Sequence, residues 1–96
     1  MGAGTRTGSK FVLGRLLITR GAAIEIRKHG IDGLKLLGRH ARGDWGDLCP
    51  EDKHENELSL VKGWRLLSAY TIEGVKLWII TEADRSATTI LLPEEY

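Results

Sequence analysis

The sequence predicts an α+β domain, with a short N-terminal strand and about three helices packed on a three- to four-stranded antiparallel meander. Three observations lead there. Apolar residues between positions 19 and 63 recur at helical spacing, and most runs have a capping residue before them and a glycine after them. From Trp64 onward the period drops to two and the residue types turn β-branched and aromatic. A chain of 96 residues buries roughly 60–65% of its unfolded surface, which is enough for one core and no second domain.

Residues 1–10 are rich in Gly, Thr and Ser and read as a flexible tail, leaving 11–96 as the single domain. Phe11 to Ile18 is apolar and partly β-branched, the run expected as the first strand. Thr19 can cap a helix over Ala22, Ala23, Ile24, Glu25 and Ile26, whose terminal Lys28 and His29 suit the helix dipole and whose stop is Gly30. Asp32 caps a second helix carrying Leu34, Leu37 and Ala41 on one face, ended by Gly43. The seven residues from Gly43 to Cys49 are irregular. Pro50 fits the first position of a third helix, with Glu51 and Asp52 in its first turn, Leu58 and Val61 as a narrow apolar face, and Gly63 as its end. Trp64 to Ile72 is then a strand, Glu73–Gly74 a hairpin turn, and Val75 to Thr81 a strand apolar on both faces and therefore central. Glu82 to Ser86 is a polar connection, and Ala87 to Leu92 is the third strand of the meander, stopped by Pro93.

Composition narrows the function classes. Hydrophobic residues at 42% and charged residues at 28% exclude a disordered chain, and no apolar run is long enough for a membrane span, so the cytoplasm is the expected compartment. Cys49 is the single cysteine, which excludes an internal disulfide and a cysteine-based zinc cluster. His29, His40 and His54 lack i, i+4 spacing, so neither a metal nor any other cofactor is expected. The net charge of +1 argues against a general nucleic-acid binder, yet it hides a split. Residues 1–42 hold nine Lys/Arg against two acids, and residues 43–96 hold five against eleven. Internal neutralisation is the expected use of that split, with basic helices docked near the acidic loop and third helix. Leu77 and Ile79 face one side of the central strand, Trp78 and Ile80 the other, and three short helices comfortably cover one side only. A homodimer is therefore expected, with a protein or nucleic-acid partner as the other occupant of exposed surface.

Two polar clusters could carry chemistry. Arg39, His40, Arg42, Asp44, Trp45 and Asp47 offer a proton-transfer group, guanidinium groups and carboxylates within nine residues. The simpler account makes the cations complements of a helix dipole, the acids turn caps and Trp45 a core plug. Glu82, Asp84, Arg85, Ser86 and Thr88 lie around the last hairpin connection. There Arg85 with the hydroxyls of Ser86 and Thr88 could cradle a phosphate and Glu82 could act as a base. The simpler account is a solvated turn closed by Asp84 and Ser86, with Arg85 paired to Glu82 or Asp84.

Several segments also carry a resemblance. Arg39–His40, the run Gly43 to Leu48, Leu67 to Tyr70, and above all Trp78 to Ser86 continuing into Thr88–Thr89 and Leu91 to Tyr96 resemble an uncharacterised bacterial "plasmid-related" family found on plasmids and genomic islands. The resemblance implies a small accessory protein of mobile genetic elements and no known activity, hence a binding or interaction module. Helices followed by a meander are also similar in layout to the barnase- and colicin-like ribonucleases. That likeness implies, as the alternative, His40 and Glu82 as acid and base with Arg85 as phosphate clamp.

Overall fold

The computed structural model describes residues 8–96. Of the tail expected over 1–10, residues 1–7 lie outside the described residues, and Lys10 donates its amide to the Ala41 carbonyl at 2.8 Å. The element order is β1 (Arg15–Ile18), α1 (Arg20–His29), α2 (Gly33–Ala41), α3 (Pro50–Lys62), β2 (Leu66–Ile72), β3 (Val75–Thr81) and β4 (Ala87–Leu91), closed by a 3-10 turn over Pro93–Glu95. This is an α+β fold. Among the described residues, no helix is long and apolar enough to cross a membrane.

Local chemistry sets the helix ends where the caps predict. The Thr19 hydroxyl accepts from the Ala22 amide, the Asp32 carboxylate accepts from the Lys35 amide, and Gly30 and Gly63 close α1 and α3 in the left-handed conformation. The β2–β3 hairpin turns on Glu73 and Gly74, both at positive φ, the signature of the mirror-image turn that matches strand twist.

The sheet differs from a pure antiparallel meander. Its order is β1-β4-β3-β2, with β1 parallel to β4 and the remaining pairs antiparallel. Three helices carry the chain from one edge of the sheet to the other, so β1 meets the last strand rather than the next one. Pairing across so much chain leaves no trace in local periodicity.

One face of the sheet holds the core. Tyr70, Leu77, Ile79 and Ile90 pack against Ala22, Ile31, Leu36 and Leu37 from the α1–α2 layer. On α2, Leu37 and Ala41 are buried as their spacing predicts, but Leu34 is 75% exposed and His40 takes the inward position. Of the apolar face expected on α3, Leu58 is half-buried but Val61 is not. Val61 is 82% exposed, and the buried residues of α3 are Asn56 and Ser59. The reason is the surface α3 meets. It lies along the free edge of β2, where Asn56 donates to the Leu67 carbonyl at 2.7 Å and accepts from the Leu67 amide at 3.2 Å. A strand edge asks for hydrogen bonds rather than methyl groups. Trp64 likewise stays out of β2. Its amide donates to Ser59, closing the α3 terminus, and its side chain is half exposed.

Candidate functional site

One residue from each cluster singled out by the sequence, His40 and Thr88, enters the core, and Thr81 links the two. His40 is fully buried, with Nδ1 2.5 Å from the Ser68 hydroxyl and Nε2 2.9 Å from the Thr81 hydroxyl. Thr81 lies 2.7 Å from Thr88, and Thr88 donates to the Leu13 carbonyl at 2.7 Å. Strand alternation and register explain the convergence: Ser68, Thr81 and Thr88 all point to the helical face, and Thr81 pairs with Thr88 across β3 and β4.

The direction of each bond follows from the end of the chain. A carbonyl only accepts, so Thr88 spends its proton on Leu13 and accepts from Thr81. Thr81 therefore accepts from His40 Nε2–H, and His40 Nδ1 accepts from Ser68. The ring is neutral, and burial pushes its pKa down from 6.5 to about 4. Phe11 and Trp45 seal it, with ring centroids 5.2 and 5.7 Å from the imidazole.

This burial has a pH consequence. The unfolded chain takes up the His40 proton near pH 6.5 and the folded chain only near pH 4, so the unfolded state binds more protons between those values. Stability is complete above about pH 6.5 and falls by about 3 kcal/mol as pH drops toward 4. Urea unfolding at pH 7.0 and 4.5 checks it: the wild type loses most of that amount, while His40→Gln, which cannot titrate, starts lower and loses clearly less.

The other candidates are placed as follows. Glu82 lies beyond Thr81 and is exposed, its Oε1 3.8 Å from Arg65 Nε. Arg65 lies over the Tyr96 ring, which packs on Trp78 on the face away from the helices. The His40 ring and the Glu82 carboxylate are thus on opposite faces of the sheet. Arg85 donates to the carbonyls of Trp64, Ala83, Glu82 and Ser59, at 2.7 to 3.2 Å, and so ties the end of α3 to the β3–β4 turn. Ser86 donates its amide to the Asp84 carboxylate, which closes that turn. Arg39 and Asp44 form an ion pair at 2.7 Å, and the guanidinium holds the Asp44 carboxyl below its ordinary range. Arg39 also lies 4.6 Å over the Tyr70 ring, and the Tyr70 hydroxyl donates to the Asp44 carbonyl.

Sequence reasoning missed Ser68 as the partner of His40. Its only sequence signal is a hydroxyl at an inward-facing position between Leu66 and Tyr70. Missed too was the exposed surface of the chain's first strand. Leu16, Leu17 and Ile18 are 50, 41 and 47% exposed. They border an apolar groove of about 370 Å³ between β1 and α2, with Leu34 among its lining residues.

Among the described residues, the charge split is resolved internally only where α2 meets the acidic loop, with Arg39 against Asp44, and not at α3. Arg39–Asp44 is the only ion pair among the described residues that joins the basic and acidic parts. Arg20, Arg27 and Lys28 line a shallow concavity on α1 instead. Among the described residues, no cluster of His, Cys, Asp and Glu could hold a metal ion. Comparison with known protein families, curated proteins and solved structures finds no match.

Proposed function

We propose that this domain acts by binding rather than by catalysis, as a small accessory protein of the mobile gene pool. One observation carries the reading: His40 is sealed in the core and Arg85 is held by backbone carbonyls, both away from the exposed Glu82 carboxylate, while the exposed surface includes an apolar strand and groove. Both nitrogens of His40 are occupied in a fully buried ring, and the Arg85 guanidinium is spent on backbone carbonyls. Leu16, Leu17, Ile18 and Leu34 together form an apolar surface of the kind that marks protein–protein contact. The resemblance of the Trp78–Tyr96 segment to the plasmid-related family supports the mobile-element setting, since that family carries no established activity.

Incubation of the purified protein with single- and double-stranded RNA tests the reading. RNA is expected to stay intact over hours at micromolar protein. Cleavage that disappears in a folded His40→Gln or Glu82→Gln variant would overturn it and favour the ribonuclease alternative.

A further inference from the structure

The two edges of the sheet are treated differently. Along β2, Leu67 exchanges hydrogen bonds with the Asn56 side chain, and Ala69 donates to Trp45 and accepts from Asp47. That edge is closed over Leu67 and Ala69, which leaves Thr71 beside the hairpin turn as its open end. Along β1, the amides of Arg15 and Thr19 donate inward to Ser86 and Ile90 of the neighbouring chain segment. By strand alternation, Leu16 and Ile18 turn their N–H and C=O groups outward, where no described residue pairs with them. The strand has no proline and an unbroken register with β4, so it lacks two common devices that blunt an edge.

We propose that β1 is the docking edge for a second copy of this chain, paired antiparallel about a two-fold axis through Leu17. The proposal deepens the binding reading above by naming its surface and partner. Self-complementarity argues for a second copy. The two outward-facing residues flank Leu17 symmetrically, so Leu16 lies opposite Ile18 of the second copy and the reverse, giving four backbone hydrogen bonds. The same register sets Arg15 opposite Thr19 of the second copy. The Thr19 hydroxyl donates to the exposed Glu95 carboxylate at 2.5 Å, and Arg15 has no ion-pair partner among the described residues of its own chain. Each copy thus offers a cation where the other holds an anion, twice over. On the helical side, Leu16, Ile18 and Leu34 of both copies extend the apolar groove across the axis. Two four-stranded sheets become one of eight strands, and the open edge disappears.

Sedimentation velocity over a concentration series is expected to show the wild type passing to twice the chain mass. Leu17→Asp puts two carboxylates together at the axis and is expected to weaken association by at least roughly 100-fold, with an unchanged circular dichroism spectrum. Thr71→Asp, at an exposed position of β2, leaves association unchanged. In a Leu17→Cys, Cys49→Ser variant the two Cys side chains fall in a non-hydrogen-bonded pair, whose Cα separation of about 4.5 Å suits a disulfide. Mild oxidation is then expected to yield a covalent dimer. A chain that stays monomeric to millimolar concentration overturns the proposal, as does a dimer that persists in Leu17→Asp and fails to cross-link. Either result leaves the binding reading standing, because that reading falls only to RNA turnover that needs His40 or Glu82.

Discussion

The substitution His40→Ala is expected to lower the free energy of unfolding by about 4 kcal/mol at pH 7, from an emptied core position plus an orphaned hydroxyl. The ring is fully buried and bonded at both nitrogens, so alanine removes two hydrogen bonds and much of what Phe11 and Trp45 pack against. The partners suffer unequally. Thr81 loses a donor but keeps its own bond to Thr88, whereas Ser68 loses the acceptor for its only proton. A buried hydroxyl without a partner costs about 1–3 kcal/mol, and the cavity supplies the rest. Removing the network whole separates the two costs. His40→Leu alone fills most of the space and still strands Ser68. Adding Ser68→Ala and Thr81→Val removes the stranded Ser68 hydroxyl together with the Thr81 hydroxyl that has lost its donor, and stability is expected to recover by about 2 kcal/mol over the single variant. Urea midpoints of the three proteins at pH 7 decide it. A triple variant no more stable than His40→Leu would mean that packing, not hydrogen bonding, is what His40 supplies.

What the sequence revealed of this domain was the part that local chemistry controls. Thr19, Asp32, Pro50, Gly30 and Gly63 mark helix ends because caps act within one turn of chain, and each stands at its terminus in the fold. Val75 to Thr81 lies inside the sheet, between β2 and β4, as its apolar residues on both faces suggest for a strand with both faces covered. The parts that escaped are those fixed by partners distant in sequence. Nothing near β1 says that it pairs parallel to a strand about seventy residues on, and nothing near Ser68 says that an imidazole arrives from α2. Helical spacing placed Leu34 inward and left His40 for chemistry. The fold reverses the two, because an imidazole bonded to a hydroxyl at each nitrogen is satisfied in the core while Leu34 borders the open groove. Whether the two polar segments meet was not legible in the sequence: His40 reaches Thr81 and, through it, Thr88 inside the protein, while Glu82 stays outside.

Gly46→Ala is expected to be about as damaging as the loss of His40, at about 3–4 kcal/mol, the sum of left-handed backbone strain and a forced displacement. Gly46 has φ +77°, and a Cβ there would lie 2.0 Å from the Ala69 carbonyl oxygen. The neighbour is backbone, so no rotamer change relieves it; the loop must move off the strand. That loop holds Trp45, which is 4% exposed and donates its indole N–H to Glu57, and it closes the β2 edge through Trp45 and Asp47. Gly63 is the natural control. It has the same φ of +77° and nothing within 4 Å of its Cβ position, so Gly63→Ala carries the backbone strain alone, about 1–2 kcal/mol. The difference between the two variants isolates the contact with Ala69. Hydrogen exchange gives that difference a location: the Ala69 amide, which donates to Trp45, is expected to lose protection in Gly46→Ala and to keep it in Gly63→Ala when both are compared at equal global stability. Equal protection in the two would mean that the irregular segment is held by Trp45 alone, and that the closed edge of the sheet owes its closure to Asn56.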